Sequence, residues 1–200
     1  RLLADADPND PRRRLAAAAI LLSPFTPMLF MGEEYGETAP FPYFIDHGDP
    51  ELVEAVRAGR QREFSGADWS GGVADPADPA TFDRAILDVT LTERKPHRSR
   101  LAMYTELLRI RREHPVLTDP AAQQHVSIVG DTMFVVRSLP DVTASLVFNF
   151  SGDSLEHPAA DPAAAIVFDS DDPRWSGDHP DAAPADTATI APWSARLSIT

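Results

Sequence analysis

The sequence predicts an α/β segment followed by an all-β segment. In the first half, a helix leads directly into the apolar run Met28–Met31, which shows no alternation and ends at a glycine. Such a run is typical of a strand buried on both faces in a parallel sheet. Beyond Thr118, short strand-like stretches recur between Gly, Asp and Pro, which favours an antiparallel sandwich or barrel.

The first half contains clear helix signals. Asp10-Pro11 and Asp49-Pro50 each place a capping side chain before a proline at the first helical position. Apolar residues between His97 and His114 follow a spacing close to i, i+3, i+4, i+7, and the next proline should end that helix. We therefore expect helices at residues 12–22, 50–64, 81–87 and 97–114.

Two connecting segments differ in character. Residues 36–48 form a loop rich in proline and aromatics, and a loop of that length in a compact domain is usually functional. Residues 65–79 should be an irregular excursion. After these segments, we expect strands at residues 125–129, 132–139, 144–149, 164–168 and 187–199, and a domain boundary that separates residues 1–117 from 118–200.

Composition excludes several classes of function. The 31 acidic and 18 basic residues give a net charge of −13, which repels nucleic acid. No apolar run approaches the roughly 20 residues that span a bilayer, so no membrane partner is expected. Cysteine is absent and the histidines lack metal-ligand spacing, so we expect a cytoplasmic protein with no metal and no cofactor.

The oligomeric state is left open. Because the chain starts at Arg1 and enters a helix within ten residues, we expect it to be a fragment.

One stretch resembles a known family. Residues 21–34, LLSPFTPMLFMGEE, resemble helix seven, strand eight and the following loop of glycoside hydrolase family 13, the α-amylase superfamily. The continuations EEYGETAPFPYFIDH, DPELVEAVRAGRQREF and DPATFDRAILD resemble a member that acts on malto-oligosyl trehalose. The resemblance covers Leu21 to about Asp88. It implies that residues 1–117 are the C-terminal end of a TIM (β/α)8 barrel and that 118–200 form a small antiparallel β-sandwich.

The resemblance also implies a reaction. Members of the family hydrolyse α-1,4-glucosidic bonds, here the bond next to a terminal trehalose, and their catalytic carboxylates would all precede Arg1. The chain alone is therefore expected to be inactive, with an α-glucan or malto-oligosyl trehalose as the substrate of its parent. A branching enzyme or another α-glucan enzyme is an alternative within the superfamily. A non-catalytic structural or glycan-binding module is an alternative from another class.

Glu33 and Glu34 follow the predicted strand. A retaining glycosidase needs two carboxyl groups roughly 5–5.5 Å apart, but neighbours in an extended strand point to opposite faces. At most one of the two can then face a barrel mouth, the end at which such barrels bind substrate. We therefore expect a substrate-binding or supporting role for this pair, not direct catalysis.

The loop after the pair supplies further candidates. Its aromatic rings could stack on glucose, and its polar side chains could bind sugar hydroxyls. The alternative is a loop that folds over its own small core. The complete set of substrate-binding candidates is Glu33, Glu34, Tyr35, Phe41, Tyr43, Phe44, Asp46 and His47.

Overall fold

A computed structural model describes residues 10–64, 74–157, 164–176 and 189–200. The chain divides into two compact units, one of which contains Glu37–Val89 and the other Ala6–Gly36 with Thr90–Thr200. Most of the excursion expected at 65–79, and the first residues of the strand expected at 187–199, lie outside the described residues.

The helices are α1 (Pro11–Leu21), α2 (Pro50–Phe64), α3 (Pro79–Asp83), α4 (His97–Glu113) and α5 (Pro173–Ser176). The strands are β1 (Gln123–Val129), β2 (Thr132–Leu139), β3 (Val142–Asn149), β4 (Leu155–Glu156), β5 (Ala165–Asp169), β6 (Thr189–Ile190) and β7 (Ser194–Ile199). Single turns of 3-10 helix cover Val89–Glu93 and Pro115–Leu117.

The larger unit is built on an antiparallel sheet with the strand order β1-β2-β3-β7-β5. Strands β1, β2 and β3 form a meander, and β7 returns beside β3 so that Leu146 pairs with Leu197. Among the described residues, β4 and β6 form a separate two-stranded sheet. All of these pairs are antiparallel, so the all-β half of the predicted fold is confirmed, whereas the sandwich stays a prediction.

The core of the larger unit lies between α1, α4 and one face of the five-stranded sheet. Leu21 of α1, Leu107 and Ile110 of α4, and Leu197 of β7 are each fully buried in one cluster. Alternating positions of β2, β3 and β7 face this cluster, as the two-residue period of a strand requires. The cluster includes residues from both sides of position 117, and the predicted domain boundary there stays a prediction.

Most sequence-based element predictions are confirmed, with bounds that differ by a few residues. The helix expected at 81–87 is wrong in its bounds, because α3 begins at Pro79, directly after its capping residue Asp78. The strand expected at 187–199 is interrupted after Ile190, where Pro192 precedes Trp193 with a φ of 52°. Strand β4 was not predicted, since two residues carry no periodicity.

The strand predicted at Met28–Met31 is wrong for this chain. These residues lie in no helix or strand, and Met28 is 89% exposed while Met31 is 48% exposed. A parallel strand exists only through hydrogen bonds to neighbouring strands, and the part of the chain that the structure describes offers no parallel neighbour. The run therefore presents its apolar side chains to solvent.

Asp10 caps α1, and its replacement with alanine is expected to cost about 1 kcal/mol of unfolding free energy at pH 7. Its Oδ1 accepts from the Arg12 backbone N–H at 2.9 Å, and the Arg12 guanidinium binds the same carboxylate. The side-chain hydrogen bond from Arg12 lowers the pKa of Asp10 below 3.8. The stabilisation that the ionised Asp10 carboxylate contributes is thus fully present above a pH of about 4. It is lost as the pH falls through the lowered pKa of Asp10 in the folded protein.

Urea unfolding at several pH values tests this contribution. We expect the difference between the wild type and Asp10→Ala to shrink below a pH of about 4. Asp83→Ala, which removes an exposed carboxylate, is the control. A cost that stays constant with pH would contradict the role of the ion pair.

The smaller unit contains α2, α3 and the aromatic loop. The Ile45 N–H donates to the Pro76 carbonyl at 2.8 Å, and Arg57 of α2 pairs with Asp75 at 2.8 Å. The Thr81 hydroxyl donates to the Asp75 carbonyl at 2.7 Å. These bonds hold the loop, α2 and the segment before α3 together.

Candidate functional site

Glu33, Glu34 and Tyr35 lie in a turn that covers residues 31–36 of the larger unit, not at the end of a strand. Gly32 and Gly36, on either side of them, have φ values of 76° and 73°. This left-handed backbone costs glycine little, which explains a glycine at each end. Because the segment is a turn, the expectation that Glu33 and Glu34 point to opposite faces of a strand does not apply.

Glu33 closes the turn through both of its carboxylate oxygens. Its Oε2 accepts from the Phe30 N–H at 3.0 Å, while its own N–H donates to the Phe30 carbonyl at 2.8 Å. Its Oε1 accepts from the Tyr104 hydroxyl of α4 at 3.4 Å. Glu33 thereby links the exposed apolar run, the turn and helix α4.

Tyr35 is buried, with 5% of its surface exposed. The Tyr35 carbonyl lies 2.9 Å from Nδ1 of His97, which is also buried. A carbonyl oxygen only accepts hydrogen bonds, so the His97 ring carries a proton on Nδ1. The first residue of α4 thus fixes the end of the turn.

Arg100 packs against the last residue of the turn. A Cβ atom built on Gly36 would lie 2.2 Å from Nη1 of Arg100, so a larger residue there would force this guanidinium to move. Burial, together with the nearby positive charge of Arg13, lowers the pKa of Arg100 to about 10, and the guanidinium stays charged at neutral pH.

Arg111 fixes the segment that leads towards the turn, and the sequence carried no signal for this contact. Its guanidinium donates to the Leu21 carbonyl at 2.9 Å, to the Ser23 carbonyl and to the Phe25 carbonyl at 2.8 Å. Three carbonyls, one in the last residue of α1 and two beyond it, are thus satisfied by one side chain from α4.

The aromatic residues of the smaller unit contact one another. The Phe44 ring meets the Phe41 and Phe82 rings edge to face, at centroid distances of 6.1 and 5.1 Å. The Arg60 guanidinium lies 4.8 Å from the Tyr43 ring centroid. The loop therefore has a small core of its own, yet Phe41 and Tyr43 remain 43% and 49% exposed.

Polar groups of the loop differ in exposure. Asp46 and His47 are exposed at its far end. Glu37, which sequence reasoning missed, is buried, and its carboxylate accepts from the N–H groups of Thr38, Ala39 and Asp88 at 2.7–2.8 Å. A buried carboxylate with three N–H donors fixes both ends of the smaller unit to each other.

A groove of 710 Å³ runs along the C-terminal half of α4 and is lined by Pro27, Leu108 and Arg112, but by none of the predicted site residues. No group of three His, Cys, Asp or Glu residues within the described ranges could hold a metal ion. No helix in those ranges is both long and apolar enough to cross a membrane.

Comparisons with known proteins give consistent results, although no protein-family model matches the chain. A malto-oligosyltrehalose trehalohydrolase from Arthrobacter ramosus is 54% identical over 102 residues, which are 50% of this chain and 18% of the relative. The protein of that name from Brevibacterium helvolum is 36% identical over 92% of this chain and 30% of its own length. The chain thus spans less than a third of these relatives.

Solved structures agree with these relatives. A putative α-amylase from Salmonella typhimurium superposes with a TM-score of 0.76 and 30% identity, over 100% of this chain and 32% of the other. The trehalose-6-phosphate hydrolase of Bacillus licheniformis, 16% identical with a TM-score of 0.59 over 100% of this chain and 41% of its own, shows a similar fold. The resemblance drawn from residues 21–88 is confirmed: the chain is a homologue of part of a malto-oligosyltrehalose trehalohydrolase, within the α-amylase superfamily.

Proposed function

We propose that the chain is the C-terminal part of a glycoside hydrolase that releases trehalose from malto-oligosyl trehalose. The parent enzyme hydrolyses the α-1,4 bond beside the terminal trehalose unit, with catalytic carboxylates upstream of Arg1. The observation that carries the proposal is the similarity, over 92% of this chain, to a relative named for that activity. The absence of cysteine supports a cytoplasmic location.

In this proposal, residues 1–117 complete a (β/α)8 barrel and residues 118–200 form its β-sandwich domain. The exposed run Met28–Met31 supports the barrel, because four apolar residues without sheet neighbours are what a missing set of parallel strands would cover. In the parent, the run would be the eighth strand.

We further propose that two groups of residues contact the α-glucan. In the larger unit they come from the turn that contains Glu33, Glu34 and the buried Tyr35, which follows the proposed strand at the end where barrels bind substrate. In the smaller unit they belong to the aromatic loop, where exposed ring faces suit the C–H faces of glucose. The loop members are Phe41, Tyr43, Phe44, Asp46 and His47.

An assay of two proteins tests the proposal. The full-length parent and this 200-residue chain are incubated with malto-oligosyl trehalose, and free trehalose is measured by chromatography. We expect trehalose from the parent alone, and none from an unmodified maltodextrin of equal length. New branch points instead of trehalose would indicate a branching enzyme. Activity of the isolated chain would contradict the placement of the catalytic carboxylates.

A further inference from the structure

Glu33 and Glu34 are neighbours in sequence, but their carboxylates have different surroundings. Both oxygens of Glu33 accept hydrogen bonds, from the Phe30 N–H and the Tyr104 hydroxyl. Glu34 is half-buried, and no donor among the described residues forms a hydrogen bond with its carboxylate. Of these two residues, Glu34 is therefore the one that keeps its full capacity to accept hydrogen bonds from a ligand.

Helix α4 fixes the turn from one side. His97, Arg100 and Tyr104 are spaced at i, i+3 and i+7, which places them along one face of the helix. They contact, in turn, the Tyr35 carbonyl, Gly36 and the Glu33 carboxylate. Since the turn is held on both sides of Glu34, the backbone position of Glu34 is fixed as well.

We propose that Glu34 is the carboxylate that binds glucosyl hydroxyl groups, and that Tyr104 is a positioning residue that holds Glu33 as the anchor of the turn. This inference rests on the proposed function, because it assumes that the turn faces an α-glucan. A carboxylate suits neighbouring sugar hydroxyls, since its two oxygens accept two O–H donors at once.

The state of Tyr104 agrees with this role. Its side chain is buried, with 7% of the residue exposed. Burial, followed by the negative charge of Glu33, raises the pKa of Tyr104 above its usual value of 10. The hydroxyl therefore keeps its proton at neutral pH and remains a donor to Glu33.

The test compares single variants in the full-length enzyme. Glu34→Gln should raise KM for malto-oligosyl trehalose by about tenfold or more, with kcat and the thermal midpoint nearly unchanged. Glu33→Gln and Tyr104→Phe should each lower the thermal midpoint by about 2–4 °C, and combining them should lower it little further. Both act on the same hydrogen bond, since phenylalanine removes it and the neutral amide weakens it. Glu93→Gln, which removes an exposed carboxylate of the same unit, is the control.

A double variant separates positioning from simple structural support. Tyr104→Phe should raise KM in the wild-type background but add no further rise in the Glu34→Gln background, since its effect on binding passes through Glu34. The assignment of sugar binding to Glu34 would be overturned by the opposite pattern. In that pattern, Glu33→Gln raises KM without changing the thermal midpoint, and Glu34→Gln leaves KM unchanged.

Failure of the proposed function would look different. A full-length wild type that releases no trehalose would contradict that function, and the KM comparisons would then use the α-glucan that the enzyme does cleave. If Glu34→Gln left KM for that glucan unchanged, this result alone would overturn the proposal that Glu34 binds glucosyl hydroxyl groups. Additive midpoint losses for Glu33→Gln and Tyr104→Phe would also overturn the anchoring role of Tyr104.

Discussion

Gly36→Ala is expected to destabilise the larger unit by about 2–4 kcal/mol. The φ of 73° costs a residue with a Cβ roughly 1–2 kcal/mol. The new Cβ would also lie 2.2 Å from the Arg100 guanidinium, and moving the end of that side chain adds about 1–2 kcal/mol. Urea unfolding of the 200-residue chain measures the sum.

Gly48→Ala is the matched control, because a Cβ there meets nothing within 4 Å. We expect a change of less than about 0.5 kcal/mol for it. The double variant Gly36→Ala/Arg100→Ala should be less destabilised than the two single variants predict together, since the clash needs both side chains. Equal costs for Gly36→Ala and Gly48→Ala, or strict additivity in the double variant, would contradict the close contact of Gly36 with Arg100.

The sequence predicted those elements whose signals are local. Helix α1 was predicted from Asp10 and Pro11, and both occupy the positions expected of them. Strand β2 was predicted with the observed bounds, because the turns on both sides of it contain Gly, Asp or Pro. In each case the deciding residues lie within a few positions of the element, where propensity and capping act.

The prediction at Met28–Met31 failed for a physical reason that no local pattern reveals. An apolar run without alternation predicts burial, but which partner buries it depends on neighbouring strands. In this chain the described strands are all antiparallel and pair with one another. The same run would form a strand only where parallel neighbours exist.

The sequence predicted which residues form the candidate site, but not which residues of helix α4 they contact. Glu33, Glu34 and Tyr35 were identified from the motif, whereas their contacts with His97 and Tyr104 join residues more than 60 positions apart. Arg111 and Glu37 were missed for the same reason, since a polar residue that binds distant carbonyl or N–H groups leaves no periodic pattern. Only the folded chain shows that helix α4 organises the turn.

Leu107→Ala is expected to cost about 2–5 kcal/mol, the largest effect on stability of any substitution proposed for this chain. Leu107 is fully buried in the cluster formed by α1, α4 and the sheet, so truncation leaves a cavity that rigid neighbours on three sides cannot fill. Leu108→Ala, one position along and 36% exposed, removes the same atoms and should cost less than about 1 kcal/mol.

The Leu107 variant also tests how far the core extends along the chain. Because buried residues before and after position 117 share one cluster, we expect Leu107→Ala to weaken amide protection in β3 and β7 as well as in α4. Hydrogen exchange resolved by residue measures each element separately. If amide protection fell in α4 while β3 and β7 kept theirs, residues 118–200 would be an independent folding unit. The segments on either side of residue 117 would then unfold separately. A joint loss would mean that the helices and the sheet fold as one body, with the turn at Glu33 held by the same helix that stabilises the sheet.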